Sequence, residues 1–278
     1  MLLLRTLKRP PFLSFLLSLI FTWNGSITFR WVHFTVLQAF SFVPLLYWIY
    51  LKWNKSKKIK YLVLLSLLLS QMIFAGFIQI VFISLLGLVI LYMVQNYPLQ
   101  RNTTGAFFCA IMFGVFLSLP QIIPTLQLSR LTSRSVSSSY DFAVSIPFNV
   151  QNMCAFVLPD CLGSPKNATY SFNIQRDGVY WENTPYIGLP FVCLLLIASA
   201  FYFLRKKINP LSYIFLALSF LFLMLGLGKN SPLYFIFSIF PFSMFRTPPR
   251  YLLLSVFFLI LYASLILNTF ISKRTYFS

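Results

Sequence analysis

Carboxylates are what this sequence has least of. Its 278 residues include four acidic side chains, Asp141, Asp160, Asp177 and Glu182, against 22 lysines and arginines. All the acids lie between Gln127 and Thr184. Charge of either sign is scarce, at 9% of residues where a soluble domain carries about 25%. That shortage, with 59% hydrophobic residues and a mean hydropathy of +0.81, excludes an ordinary soluble domain. Histidine is nearly missing as well: His33 stands alone, and no cysteine–histidine or Asp-x-Asp spacing suggests a metal motif. Alternating strand patterns are also lacking. The apolar runs are apolar on all sides, which excludes a membrane β-barrel built from alternating strands of about 10 residues.

What is present is a series of uncharged runs close to the roughly 20 residues that cross a bilayer. They predict an all-α, polytopic transmembrane helix bundle forming a single integral-membrane domain. About eight spans are read, near 11–23, 34–51, 61–74, 78–94, 105–119, 186–204, 211–227 and 251–271. Tyr61–Val94 is uncharged throughout and as one helix would be about 50 Å long, against a core of roughly 30 Å. It is therefore divided at Gly76, with Gln71 and Gln79 flanking the bend. Pro120 and Pro124 are expected to break or kink the fifth helix. Residues 127–184 form a long polar outer loop whose Ser133–Ser139 stretch is expected to be mobile. Residues 232–245, aromatic-rich and interrupted by Pro241, read as an interfacial or re-entrant segment.

The net charge of +18 does not imply nucleic acid. The basic residues sit mostly at the ends of apolar runs, where they set topology and can meet anionic lipid. An even number of spans puts both ends on one side. With that side cytoplasmic, the inner segments hold Arg5, Lys8, Arg9, the Lys52–Lys60 cluster, Arg101, Arg205–Lys207, Lys273 and Arg274. The outer segments hold Arg30, Arg130, Arg134, Lys166, Arg176, Lys229, Arg246 and Arg250, spread over far more residues. The asymmetry favours cytoplasmic termini and an extracytoplasmic long loop. The first run is short and lacks a small-residue cleavage site, so no cleavable signal is read. No internal repeat and no charge at mid-span supports a solute transporter.

Cys109 and Cys193 fall in apolar runs and are expected to be packing residues. Cys154 and Cys161 lie in the polar loop and could pair if it is extracytoplasmic. The Asn-x-Ser/Thr matches at Asn24, Asn54, Asn102 and Asn167 carry little information.

Three groups on the outer face could carry chemistry. The first is the acids, which can act as general base or hold a divalent metal. Asp141 and Asp177 read as solvating residues. Asp160 in FVLPD and Glu182 in YWENTPYIG are set in apolar sequence, where an unpaired charge is costly, so each calls for a partner or a function. The second group is Arg246 and Arg250 in FPFSMFRTPPRYLLL, whose planar forks suit the phosphate of a lipid carrier. The alternative is interfacial anchoring. The third is Arg30 with His33. Gln79 and Gln121 could hydrogen-bond a sugar or a neighbouring helix.

An ordered set of segments carries a family likeness: NGSITFRWVHFTVLQAFSFVPLLY, GFIQIVF, SLPQIIPTLQLSRLTSR, FVLPDCLGSP, YWENTPYIGLPFV and GKNSPLYFIFSIFPFSMFRTPPRYLLL. Over most of its length the chain resembles the YfhO-like bacterial membrane proteins, within the GT-C-type glycosyltransferases. That resemblance implies an enzyme of the bacterial cytoplasmic membrane. It would take a sugar from a polyprenyl-phosphate carrier and pass it to a cell-envelope acceptor on the extracytoplasmic face. It implies carrier phosphate as the ligand of Arg246 and Arg250. A non-catalytic protein that binds or moves a lipid-linked sugar, or a subunit of an envelope-assembly complex, is the alternative. Such enzymes keep their key acid in the first outer loop, whereas Asn24–His33 contains no acid. The chain is accordingly expected to be the later part of a longer protein.

Overall fold

The computed structural model describes residues 1–130, 140–146, 148–170, 179–204 and 209–274. Asp177, Arg134, Arg176, Arg205–Lys207 and the Ser133–Ser139 stretch lie outside the described residues. In chain order the helices are α1 (Leu2–Thr6), α2 (Pro11–Thr22), α3 (Gly25–Thr28), α4 (Phe34–Ser41), α5 (Val43–Ser56), α6 (Ile59–Phe74) and α7 (Ile78–Gln95). They continue with α8 (Arg101–Leu117), α9 (Leu119–Arg130), α10 (Tyr140–Ala143), α11 (Tyr180–Asn183), α12 (Leu189–Phe203), α13 (Pro210–Gly226) and α14 (Leu252–Arg274). No strand occurs among the described residues. Three helical stretches, Phe34–Ser56, Ile78–Gln95 and Pro248–Asn268, are long and apolar enough to cross a membrane. The bent pair α8–α9 makes a fourth if counted as one span, and α2, α6, α12 and α13 are shorter apolar helices.

The chain forms two compact units, residues 32–137 and residues 3–31 with 138–278. In the first, α6 packs on α8 because Gly114 brings the backbones together. A Cβ there would lie 2.8 Å from the Ser66 carbonyl oxygen. Ser66 Oγ donates to the Ala110 carbonyl at 2.7 Å across the same contact. Close approach through small residues is how helices associate where lipid offers no hydrophobic drive. At one end, Trp53, Tyr92 and Phe107 stack, with Tyr92 and Phe107 rings 4.2 Å apart. Between α6 and α7 the chain turns at Gly76, whose φ of +83° suits glycine.

The expected break or kink near Pro120 is present, as a bend just after α8. The axis turns by 64° between α8 and α9, at Ser118. Pro120 then falls in the first turn of α9, where a missing N–H costs nothing. Pro124 sits inside α9, which continues to Arg130, so the first residues of the expected loop are helical. Cys109 and Cys193 also differ from the reading: both are exposed on the outer faces of α8 and α12.

In the second unit α14 is the core. From Leu252 to Leu267 its side chains are buried on almost every face, as an all-round apolar helix requires. α13, α2 and α12 surround it. Phe21 meets Phe257 edge-on at 5.8 Å, and Tyr262 donates to Ser199 Oγ at 3.0 Å. The described part of the long loop folds into short helical turns, and residues 232–245 form 3-10 turns rather than a spanning helix.

Candidate functional site

The site lies within the second unit, and its position follows from a one-turn helix. Asn24 caps α3 by accepting a hydrogen bond from the Ile27 N–H at 3.2 Å. The Gly25 N–H donates to the Tyr186 carbonyl at 2.7 Å. A Cβ on Gly25 would run into the Thr184 carbonyl and approach Tyr186 Cβ to 2.9 Å, so only glycine lets α3 lie against residues 184–186. Arg30 leaves α3 on the inner side, with 2% of its side chain exposed.

Its guanidinium bridges two elements. Nη1 donates to the Ser26 carbonyl, and Nη2 donates to Glu182 Oε2 on α11. The other carboxylate oxygen, Oε1, accepts from Arg250 Nε at 3.0 Å. Glu182 is 4% exposed and Arg250 17%. One buried carboxylate thus gathers arginines 152 and 68 residues away in sequence. Burial pushes the Glu182 carboxyl up, but the guanidinium groups of Arg30 and Arg250 outweigh it and hold it below the ordinary glutamate range. Held there, Glu182 is ionised at neutral pH and is a weak proton acceptor. Its chemistry is that of an anchor for cations rather than a general base.

Arg250 reaches Glu182 from the Pro248–Tyr251 turn that leads into α14. Thr247, just before it, is fully buried with φ +71°, ψ +70°. A β-branched residue in this left-handed region is strained, at a cost of about 1–3 kcal/mol. The turn directs Arg246 outward and Arg250 inward: Arg246 is exposed, and Arg250 is mostly covered.

The sequence pairs Arg246 with Arg250 and Arg30 with His33, whereas the structure brings Arg30 and Arg250 together on Glu182. His33, half-buried, opens α4 in the other unit. Asp160 is exposed and accepts a hydrogen bond from Tyr180 Oη at 2.7 Å. Burial first, and then this bond to Asp160, raises the Tyr180 phenol above its ordinary range. Tyr180 also touches Phe29 and Tyr170, each at 5.2 Å between ring centres, so it ties α3 to the loop. Asp141 is exposed in α10, Gln79 is buried in α7 and Gln121 is exposed in α9. Among the described residues no three His, Cys, Asp or Glu side chains gather to hold a metal ion.

Cys154 and Cys161 form a disulfide with Cα atoms 6.2 Å apart. It closes the loop beside a cavity of about 10 Å³ lined by Asn152, Tyr170, Tyr180 and Asn183, room for about one water. A wider open groove of about 350 Å³ lies at the end of α2, lined by Leu19, Ile20, Trp23, Tyr186 and Ile187. Sequence reasoning missed the roles of Gly25, Ser26 and Tyr180. One signal was available: Arg30 in ITFRWVHF is set in surroundings as apolar as those of Glu182, and buried charges of opposite sign seek each other. The chain matches no family model, and no curated protein or solved structure shows significant similarity to it.

Proposed function

We propose that this chain is a multi-pass protein of the bacterial cytoplasmic membrane that engages a polyprenyl-phosphate-linked sugar on the extracytoplasmic face. In this reading it acts as a GT-C-like glycosyltransferase, or a portion of one, resembling the YfhO-like proteins. The observation that supports it best is the fixing of Arg250 by Glu182 next to the exposed Arg246. A guanidinium already oriented by a carboxylate loses little entropy on binding, and its planar geometry suits phosphate oxygens. The apolar groove beside Trp23 and Tyr186 offers surface of the kind an isoprenoid chain covers. The eight-span arrangement, with both termini cytoplasmic and residues 127–184 outside, belongs to the same proposal. A cysteine placed at Ser137 is expected to be labelled from the extracytoplasmic side, and labelling from the cytoplasm would overturn that topology.

A second reading is favoured by a specific observation. Glu182 is engaged by two arginines, and residues 24–33 carry no acid, so a lipid-linked sugar would be held here without being transferred. One assay separates the two. Membranes containing the protein are incubated with a labelled polyprenyl-phosphate sugar, and both retention and transfer are followed. Retention should fall at least about tenfold in the Arg246→Ala/Arg250→Ala variant, corresponding to about 1.4 kcal/mol of lost contact. Retention without transfer supports the second reading. Undiminished retention and transfer in the variant would remove the phosphate role of the arginines.

A further inference from the structure

α13 and α14 are antiparallel neighbours. Ser219 Oγ donates to the Ser255 carbonyl and Ser255 Oγ to the Ser219 carbonyl, both at 2.9 Å. Phe215 meets Phe258 at 6.2 Å and Phe222 meets Tyr251 at 6.3 Å, so pairing runs in opposite senses along the two helices. The end of α13 at Gly226 and the start of α14 at Leu252 therefore sit side by side. Everything between them leaves and returns at one level, the end of two apolar helices.

This intervening segment is built of 3-10 turns at Tyr234–Ser238 and Phe242–Met244. It is fixed from within. Phe237 is fully buried and packs edge-on against Phe242 and Tyr251, at 6.4 and 6.0 Å. The outward side is different. Tyr234, Phe235, Ile239, Phe240 and Met244 are 52, 53, 54, 75 and 48% exposed. Large apolar side chains grouped outward on one packed turn call for a cover that is not water. The segment's edges show which cover. Lys229 and Arg246 flank these turns, both exposed, and the sequence from Asn183 to its end contains no acidic residue.

We infer that residues 229–246 are a wedge seated in the headgroup boundary of the bilayer, its aromatic side in the acyl region and its flanking cations on anionic lipid phosphates. Apolar burial of about 5–10 Å is usual for such interfacial elements, and each cation near the surface favours anionic lipid about fivefold. The turns keep most of their backbone groups paired internally, which a segment at this depth requires. The wedge stands independently of any sugar chemistry.

The test uses the full chain with Cys109→Ser and Cys193→Ser, reconstituted in mixed phosphatidylglycerol and phosphatidylcholine vesicles. A nitroxide is attached at Phe240→Cys or Phe235→Cys, with Leu196→Cys, exposed midway along α12, as the deep reference. Collisions with oxygen and with a water-soluble nickel chelate are compared. The wedge predicts that oxygen is favoured at 235 and 240, but less than at 196. Nickel access equal to that of a label in water would overturn it, and so would shielding from both reagents, the sign of a covering protein. Ile239→Cys repeats the measurement should Phe240→Cys fail to fold. Lys229→Gln should lower the excess of spin-labelled phosphatidylglycerol over phosphatidylcholine at the protein surface several-fold. An unchanged ratio would overturn the anionic part. None of these readouts involves a sugar carrier, so the wedge and the glycosyltransferase reading fail separately.

Discussion

Replacing Glu182 by glutamine tests the centre of the site. The side chain keeps its size, but its charge is lost and one acceptor becomes a donor facing a guanidinium. Arg30 is then left buried with 2% of its side chain exposed and no counter-charge from α11. Breaking a buried pair by removing one partner costs about 3–5 kcal/mol. Arg250 adds less, because its 17% exposure lets water share the loss. For a chain of this size 1 kcal/mol moves Tm by roughly 2–4 °C, so Glu182→Gln should lower it by about 6–20 °C. Thermal unfolding in detergent, followed by circular dichroism, measures this. Arg30→Met alone and the double variant complete a cycle, whose coupling should be about 0.5–3 kcal/mol. A loss under about 1 kcal/mol in Glu182→Gln, with additive effects in the cycle, would refute the reasoning and make the pair no more than a surface contact.

The same carboxyl predicts a pH dependence. Its folded value lies below the ordinary 4.5, so the unfolded chain takes up the proton first. The stabilisation is complete above that value and is lost as pH falls through the lower folded one. Acid titration of Tm should show a decline below about pH 4.5 in the wild type, and Glu182→Gln should show less of it. Gly114→Val should cost about 1–3 kcal/mol through overpacking on the Ser66 carbonyl. Gly105→Ala on the same helix, with nothing within 4 Å of the added atom, should be neutral or stabilising in the same melt. Cys154→Ser opens a short closed loop and should cost about 2.5 kcal/mol on chain-entropy grounds. A melt with and without reductant checks it, since reductant should have no further effect on the variant.

What the sequence determines here is local. Apolar runs bounded by prolines, glycines and lysines dictate helices, and a helix forms at each of the runs it marks. The bend at Gly76 was legible because a positive φ is a property of one residue. The pairing of Cys154 with Cys161 needs only a short loop to close. The bend near Pro120 was legible too: the helix stops at Leu117 and Pro120 falls in the first turn of the next one, where proline is welcome. Faces were not legible. Helices that are apolar on all sides carry no stripe to say what is inside, so Cys109 and Cys193 could not be placed. The site needed the tertiary structure for the same reason. Arg30, Glu182 and Arg250 are remote in sequence, and only the packing of α3, α11 and the turn before α14 decides that one carboxylate holds both arginines. Charge in an apolar setting told us that Glu182 needed a partner, and the fold chose which.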